Sequence, residues 1–472
     1  MFYRLTGSAK QWPVLAMIST AQLMVVLDIS IVNVALPSMQ SDLGFTNASR
    51  EWVVTSYALA FGSLLLLGGR LTDLFGPKRS LLTGLVGFAA ASALGGAAQS
   101  FGMLVIARTI QGSFGALLAP AALALLTTTF TGAVERGKAF GIFGAVAVSG
   151  SSIGLLLGGG LTEVLSWRWT LYVNLAFAVP TVVAGAMLLT HSVRSRRGAR
   201  LDLAGAATAS SGLFLLILGL SNAGRDGWTD VRTAGTLFAA IVLLGGFVLI
   251  ESRTESPLLP LHILADRIRG GSYLAIGFNS LGLFAVFLFL TYYLQDVRGL
   301  SPLATGLAFL PLALTIVVVA KTVTGRLLPR FGPRVLLTVG PICGALGMLW
   351  LAQLTPASGY AGHVLPAMVL IGLAAGFTVA PAMSTATSGV AEQDAGIASA
   401  TVNAAQQVGG AFGLAVLGTV AATATGIQAY TLVFHVTAAV YVGAAAICWS
   451  LLRPRLADRL HAAPAVPIPA DE

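Results

Sequence analysis

Residues 69–79 read GRLTDLFGPKR, and residues 325–334 read GRLLPRFGPR. The two stretches are 256 positions apart, and both begin with Gly-Arg-Leu and end with Phe-Gly-Pro followed by a basic residue. Asp73 of the first stretch corresponds to Pro329 of the second. The chain therefore repeats the glycines, the proline and the terminal base of this segment, while the acid occurs in one copy alone.

A second repeated segment has almost the same offset. GALLAPA (115–121) and GFTVAPA (376–382) share the pattern Gly-x-x-x-Ala-Pro-Ala and are 261 residues apart. Two motifs with nearly equal offsets predict a duplicated chain, in which two six-helix bundles form a site at their interface. The predicted units are a first bundle, an inserted helix pair, a second bundle and a cytoplasmic tail, at residues 1–200, 201–264, 265–452 and 453–472.

The composition identifies lipid as the solvent of this chain. Of its 472 residues 56% are apolar and 10% are charged, and the mean hydropathy is +0.85. Soluble proteins carry about 25% charged residues. The apolar runs are continuous and about 20 residues long, which favours helices over the alternating strands of a barrel. The prediction is an all-α polytopic membrane protein with fourteen transmembrane helices: two pseudo-symmetric six-helix bundles plus the inserted pair.

The distribution of basic residues predicts the orientation in the membrane. The fourteen predicted spans place 21 of the 27 Lys and Arg residues on one side, which the positive-inside rule assigns to the cytoplasm. An even number of spans puts both termini there, in the inner (cytoplasmic) membrane of the cell. The net charge of +9 is explained by this asymmetry, so no nucleic-acid partner is expected. The two cysteines and five scattered histidines predict neither a disulfide framework nor a metal site.

Six motifs in order resemble those of the major facilitator superfamily, in its fourteen-helix drug/proton antiporter branch, which includes multidrug and antibiotic exporters of the quaternary-ammonium type. The resemblance covers almost the whole chain. The motifs are LDISIVNVALP (27–37), GRLTDLFGPKR (69–79), IARTIQGSFGA (106–116), GSSIGLLLGG (150–159), WRWTLYVN (167–174) and YYLQDVRGLSP (292–302).

The resemblance implies proton-coupled efflux of small amphipathic drugs or antibiotics by alternating access, in a monomer embedded in the bilayer. Its partners would be a small-molecule substrate and protons. A facilitator or importer of a small nutrient on the same fold is the alternative, because one fold hosts many functions. The sequence contains no G-x-x-x-x-G-K-[ST] nucleotide-binding motif, so we expect no cofactor and a proton gradient as the energy source. An enzyme is not expected, since the spans carry no nucleophile–base cluster.

Asp28 and Arg108 are the candidate proton-coupling residues. Asp28 lies about 12 Å below the outward end of the first predicted span, where a carboxylate is costly and marks an ion or proton pathway by default. Arg108 lies at a similar depth in the fourth span and would modulate Asp28. Gln111, one turn further on, would share this network. The alternative is a purely structural buried pair.

Small residues in the fifth span form the candidate antiporter motif. Gly150, Gly154, Gly158 and Gly159 put several glycines on one helix face, which permits close helix packing. We expect this face to pack against the second bundle and to seal the cytoplasmic side. Leu155 stands where the antiporter motif usually has proline, so the helix should be straight.

Neutral polar and aromatic residues are candidates for a substrate cavity, although they could equally form interhelical hydrogen bonds. These residues are Gln111, Tyr292, Gln295, Asn403 and Gln407.

The repeated loop is the candidate gate. Its glycines and prolines are expected to form a tight turn, and its bases to anchor that turn in the cytoplasm. Asp73 is expected to meet the N-terminus of the thirteenth helix, near Gly396, when the cytoplasmic side is shut. The candidate gating residues are Gly69, Asp73, Gly76, Lys78 and Arg79.

Overall fold

The computed structural model describes residues 11–46, 49, 52–189, 202–254, 257–388, 390 and 394–452. The predicted tail 453–472 lies outside these residues, and so does the basic sequence RSRRGAR at residues 194–200. In the described part of the chain the regular structure is helical, in agreement with the all-α prediction.

Helices occupy all fourteen predicted positions. The first six are α1 (Gln11–Leu43), α2 (Trp52–Phe75), α3 (Pro77–Gly96), α4 (Phe101–Thr129), α5 (Ala133–Val164) and α6 (Trp169–Leu188). The inserted pair is α7 (Leu203–Asp226) and α8 (Val231–Glu251). The last six are α9 (Arg267–Val297), α10 (Leu310–Thr322), α11 (Leu328–Leu351), α12 (Tyr360–Ala386), α13 (Ala395–Ala422) and α14 (Ile427–Leu451). Shorter pieces flank α9 and α10, at Leu261–Ala265, Pro302–Ala308 and Val323–Leu327.

Eleven helices of the described residues are long and apolar enough to cross a membrane. A shorter apolar helix covers Ala304–Val319 and includes most of α10. The chain is therefore a multi-pass membrane protein, and the count of fourteen crossings remains a prediction. The division at residues 200 and 264 also remains a prediction.

The first six and the last six helices pack in equivalent ways. In the first group α2 and α3 pack on α4, α1 packs on α5 and α6, and α3 packs on α6. In the second group α10 and α11 pack on α12, α9 packs on α13 and α14, and α11 packs on α14. Each contact of one group thus has its counterpart eight helices further along the chain, as expected for a duplicated bundle.

The two repeated motifs have the same local structure in both groups. Gly76 and Gly332 have φ angles of 85° and 73°, which favour glycine, and each is followed by the proline of the Phe-Gly-Pro segment. Pro120 lies inside α4, and its counterpart Pro381 lies inside α12. Each repeated segment therefore has the same backbone conformation in both groups of helices.

The two groups meet along two seams that are related by the same symmetry. In one seam α13 packs on α2 and α4, and in the other α5 packs on α10 and α12. The inserted helix α7 packs on both α2 and α13, while α8 packs on α7. The insertion therefore lies along the α2–α13 seam.

Candidate functional site

Asp28 is fully buried in the middle of the first six helices. Its side chain has 0% exposure, and that of Arg108 has 1%. Arg108 Nη1 donates to Asp28 Oδ2 at 2.6 Å and to Gln111 Oε1 at 2.6 Å, and Gln111 Nε2 donates to Asp28 Oδ1 at 2.7 Å. The three residues thus form one hydrogen-bonded network between α1 and α4. Whether this network couples protons stays a prediction.

Helix α2 closes the network on the side of Arg108. The guanidinium lies over the ring of Tyr57, 4.5 Å from its centroid, and Arg108 Nε donates to the carbonyl oxygen of Val53 at 3.2 Å. The Tyr57 ring in turn stacks on Phe61, with an interplanar angle of 10°. A buried cation is thereby satisfied by a carboxylate, an amide, a carbonyl and an aromatic face.

Two members of the network were not singled out in the sequence. Asn174 Nδ2 donates to Asp28 Oδ1 at 2.7 Å, and Ser92 Oγ accepts from Gln111 Nε2 at 2.7 Å. Both side chains are fully buried. Asn174 is the last residue of WRWTLYVN. A polar residue inside a predicted membrane span was the signal that could have identified it. Ser92 offered no signal, because serine is common in membrane helices.

Asp73 caps α13 from the other half of the protein. Its carboxylate accepts hydrogen bonds from the backbone N–H of Gly396 at 2.7 Å and of Ile397 at 3.1 Å. These are the second and third residues of α13, the positions that an N-cap side chain normally serves. Asp394, the residue at the N-cap itself, makes no such bond. We call this contact the Asp73 cap; its role as a gate stays a prediction.

Gly69 permits close approach between α2 and α13 rather than forming the turn. The prediction of a turn role was wrong, since Gly69 lies inside α2, whereas the turn is at Gly76. A Cβ atom on Gly69 would lie 2.5 Å from Ala400 Cβ and 2.8 Å from Gly396 O. A Cβ atom on Gly396 would lie 2.5 Å from Gly69 O. Two facing glycines therefore bring the helices together at the Asp73 cap.

Lys78, which is predicted to anchor the turn in the cytoplasm, is buried. Its Nζ donates to the carbonyl oxygens of Ala186 and Leu189, at the C-terminal end of α6. A cation at a helix C-terminus satisfies carbonyls that lack partners in the helix. Arg79 is exposed, as expected of a cytoplasmic base. The basic pair thus divides into one structural and one solvated side chain.

A second polar contact between the halves involves Arg136, which the sequence did not single out. Arg136 Nη2 donates to Thr387 Oγ1 at 2.9 Å and to Ser384 O at 3.4 Å, at the C-terminal end of α12. Arg136 belongs to the first turn of α5. The first half therefore contacts α12 through a base and α13 through an acid.

The glycine face of α5 packs on α1, so its predicted packing against the second bundle was wrong. Cβ atoms on Gly150, Gly154 and Gly158 would meet atoms of Val26 and Leu23, of Ser30 and Leu27, and of Ile31. Within the described part of the chain, no atom lies within 4 Å of a Cβ built on Gly159. Gly144, nearer the start of the same helix, is the α5 glycine that approaches the second group of helices, at Ala380 of α12. The helix is continuous from Ala133 to Val164.

The five cavity candidates occupy three places. Gln111 is 1% exposed and belongs to the Asp28 network, so it does not line an open cavity. Asn403 bonds to Ser399 O in its own helix at 3.0 Å, and Gln407 lies on α13 near Gly62 of α2. Their role in substrate binding stays a prediction.

The other two candidates lie near the C-terminal end of α9. Tyr292 is 42% exposed and Gln295 is half-buried. The Tyr292 ring belongs to an aromatic group with Phe289 and Tyr430, with centroids 6.3 to 6.5 Å apart. Stacking on an aromatic group is one way to bind a planar substrate.

An exposed ion pair joins the C-terminal end of α1 to the N-terminal end of α6. Arg168 Nη1 and Trp167 Nε1 both donate to Asp42 Oδ2, at 2.5 and 2.9 Å. The hydrogen bond from Arg168, followed by that from Trp167, lowers the pKa of Asp42 below its ordinary value. This pair lies in water, so its contribution to stability is small. It contrasts with the buried pair of Asp28 and Arg108.

Comparison with known proteins identifies the family. The sequence profile of the Major Facilitator Superfamily matches residues 18–414. The chain belongs to the major facilitator superfamily. It is therefore a membrane transporter, and the predicted membership of this superfamily is confirmed.

Similar proteins in this superfamily are resistance and export proteins of actinomycetes. The puromycin resistance protein pur8 of Streptomyces alboniger is 50% identical over 418 residues, covering 88% of this chain and 83% of that protein. The cephamycin export protein CmcT of Amycolatopsis lactamdurans is 43% identical, covering 87% and 85% of the two chains. The lincomycin resistance protein of Streptomyces lincolnensis is 35% identical, covering 87% and 84%.

A solved structure has the same fold at low sequence identity. The crystal structure of the human organic anion transporter MFSD10 aligns with a TM-score of 0.66 and 17% identity, covering 93% of this chain and 99% of that one. The chain therefore shares its overall fold with this solved structure.

Proposed function

We propose that this transporter exports small amphipathic antibiotics or related drugs across the cytoplasmic membrane in exchange for protons, by alternating access. Its similarity to puromycin, cephamycin and lincomycin resistance or export proteins supports export. The observation that carries proton coupling is the fully buried ion pair of Asp28 and Arg108. An ionised pair at this depth is costly, and its retention in an apolar bundle is typical of a proton or ion pathway.

Proton arrival at Asp28 would change the balance of charge in the network. Protonation neutralises Asp28 and leaves Arg108 a buried cation without its counter-charge, which is strongly unfavourable. The bundle would then rearrange so that Arg108 gains water or another acceptor. Asp28 has 0% exposure here, so the proton must enter after another rearrangement has opened the network. Such alternation between closed and open networks is what coupling requires.

Helix α2 connects this network to the cytoplasmic gate. Its outward part provides Val53 and Tyr57, which contact Arg108, and its cytoplasmic end provides Asp73, which caps α13. About 30 Å of regular helix separates Val53 from Asp73. A shift of Arg108 after protonation would therefore move a rigid element that ends at the gate. In this mechanism the Asp73 cap holds the cytoplasmic side shut while the substrate leaves outward.

The proposed orientation places both chain termini in the cytoplasm, on the side of Asp73 and Lys78. The excess of basic residues on this side supports the assignment. The buried ion pair and the Asp73 cap are each formed within one chain, so we propose that a monomer is the functional unit. A tagged N-terminus and a tagged C-terminus should both be protected from protease in intact cells.

Transport in inverted membrane vesicles tests the role of Asp28. With puromycin as the first substrate, a pH gradient should drive uptake by the natural chain. Asp28→Asn should abolish gradient-driven uptake while leaving exchange of labelled for unlabelled puromycin, because its neutral amide cannot ionise. Asp42→Asn, the same change on the same helix in the exposed pair, should transport normally. Gradient-driven uptake by Asp28→Asn would contradict the proposal.

Cephamycin and lincomycin are to be tested in the same vesicles. Transport of none of the three by the natural chain would remove the support that the relatives give to antibiotic export. It would leave the coupling of Asp28 to be tested with a panel of lipophilic drugs in cells lacking their own pumps.

A further inference from the structure

Arg70 is a buried cation that the transport mechanism above leaves unused. It lies on α2, one turn before Asp73, and is 3% exposed. Its Nε and Nη2 atoms are buried and have no hydrogen-bond partner among the described residues. A buried guanidinium with unsatisfied donors is costly, so the surrounding charges must compensate for it.

Two carboxylates interact electrostatically with Arg70 without contacting it directly. One is Asp73, on the same helix, and the other is Glu251, the last residue of α8. Glu251 is 4% exposed, and its two oxygens accept hydrogen bonds from the backbone N–H of Leu258 and Leu259, each at 3.1 Å. The position of Glu251 is thus fixed by the segment that leads into α9.

Other charges in the vicinity are also negative. Asp202, at the start of α7, faces Glu251, because a Cβ atom built on Gly205 would lie 2.5 Å from Asp202 Oδ2 and 2.6 Å from Glu251 Oε1. Asp394, the N-cap residue of α13, interacts electrostatically with Asp73. Arg70 therefore interacts with one carboxylate of α2 and one of the inserted pair, and each of these carboxylates has a further acid beside it.

The inserted pair is attached along the whole α2–α13 seam. Ile217 of α7 approaches Gly62 of α2, and Gly224 of α7 approaches Ala415 of α13. At the outward end Trp228 Nε1 donates to Thr419 Oγ1 at 2.8 Å. At the cytoplasmic end Glu251 lies beside Gly205 of α7, and its charge interacts with that of Arg70. The pair consequently touches both helices that the Asp73 cap joins.

We propose that Glu251 is a positioning residue of the cytoplasmic gate: it supplies from the inserted helix pair the counter-charge that allows Arg70 to be buried when the Asp73 cap is formed. This inference rests on the proposed gating role of Asp73. It gives the two additional helices a function, since closure of the α2–α13 seam then depends on a charge that neither bundle carries.

The direction of the effect follows from hydration. When the cytoplasmic side opens, α13 leaves α2 and water reaches Arg70, so the counter-charge matters less. When the side closes, Arg70 loses water and depends on Glu251 and Asp73. Removing the charge of Glu251 therefore disfavours the closed state relative to the open state. A glutamine at position 251 retains a carbonyl oxygen for the backbone of Leu258 or Leu259, which limits damage to the fold.

The distance across the gate is measured between spin labels on Phe75→Cys and Ser388→Cys, two exposed positions on opposite halves. Cys343 and Cys448 are replaced by serine in this background. Glu251→Gln should shift the distances toward the open gate and lower the transport rate at least about fivefold, the lower end of coupling between linked sites.

The double variant tests whether Arg70 mediates the effect. Arg70→Gln removes the cation, so Glu251→Gln should have no further effect in the Arg70→Gln background. Glu163→Gln, an exposed glutamate at the outward end of α5, is the matched control and should leave distance and rate unchanged. Multiplicative effects of the Arg70 and Glu251 changes, or an unchanged distance in Glu251→Gln, would overturn the inference.

Asp73→Asn in the same labelled background separates this inference from the gating role on which it rests. If Asp73→Asn leaves the distances unchanged, the gating role itself fails. If Asp73→Asn opens the gate and Glu251→Gln does not, the gate stands and the role of the inserted pair is wrong.

Discussion

The two repeated loops have the same backbone and different partners. Gly76 and Gly332 both adopt positive φ before a proline, so each loop makes the same turn. Asp73, however, extends from the first loop to cap α13, whereas its counterpart in the second loop is Pro329, which has no acceptor side chain. The symmetry-related helix, α5, has Glu135 in its own first turn. The repeat therefore preserves the turn, and the interface between the halves is asymmetric.

The asymmetry extends to both sides of the segment that joins α12 to α13. Asp73 meets the N-terminus of α13 and Arg136 meets the C-terminus of α12. Each charge has the sign that its helix end attracts. In these two contacts the first half supplies the charged side chains and the second half the helix ends. The comparison predicts that changes in the first loop and in α5 affect gating more than changes in the second loop.

Asp73→Asn should have the largest effect. The amide lacks the charge and offers one acceptor oxygen to two N–H groups, and hydrogen bonds to charged groups contribute about 1.5–3 kcal/mol. The transport rate should fall about tenfold or more at equal expression. The rate of puromycin efflux from loaded cells is the measurement. An efflux rate within about twofold of the natural chain would show that the cap is dispensable.

Gly396→Ala should have the next largest effect, because its Cβ atom would lie 2.5 Å from Gly69 O and 2.6 Å from Asp73 Oδ1. The two helices must move apart, so efflux should fall about fivefold. Gly443→Ala is the matched control, since nothing lies within 4 Å of its Cβ position. Equal efflux rates for these two alanine variants would mean that close contact between α2 and α13 is unimportant.

Arg136→Gln should reduce efflux by a smaller factor, about threefold. Arg136 is half-buried, and a cation at a helix C-terminus contributes about 0.3–1 kcal/mol. A double variant with Asp73→Asn should be worse than either single variant, because the two contacts hold opposite sides of one segment. Efflux by the double variant equal to that of Asp73→Asn would show that Arg136 has no separate role.

Pro329→Ala should have the smallest effect, within about twofold of the natural rate, because the turn is made at Gly332 and Pro333. Its efflux is compared with that of Asp73→Asn at matched membrane levels. A large loss for Pro329→Ala would indicate that the second loop has a function of its own.

The sequence was sufficient to predict the features that depend on the repeated motifs and on the energetic cost of placing polar groups in lipid. The offset motifs predicted two equivalent groups of helices, and the apolar runs predicted helices at all the expected positions. Asp28, Arg108 and Gln111 were found because polar residues deep in a membrane span are expensive and need partners. The similar depths of Asp28 on α1 and of Arg108 on α4 were enough to predict that they meet.

The sequence was insufficient where helix rotation decides the contact. Gly150, Gly154 and Gly158 predicted close packing, but the spacing alone did not distinguish α1 from the second bundle as partner. Lys78 was expected in water, because a base after a turn gives no sign that a helix C-terminus lies beside it. Arg136 was overlooked because it looks like any cytoplasmic base until the end of α12 is placed next to it.

The central claim is that Asp73 of the first loop holds the gate shut and that Pro329 of the second loop has no such role. The distance between spin labels at positions 75 and 388 is the measurement that decides it. It is measured in the natural sequence, in Asp73→Asn and in Pro329→Ala, each without substrate and proton gradient. We expect a mainly closed gate in the natural chain and in Pro329→Ala, and a shift to longer distances in Asp73→Asn. Equal shifts in the two variants, or none in Asp73→Asn, would contradict it.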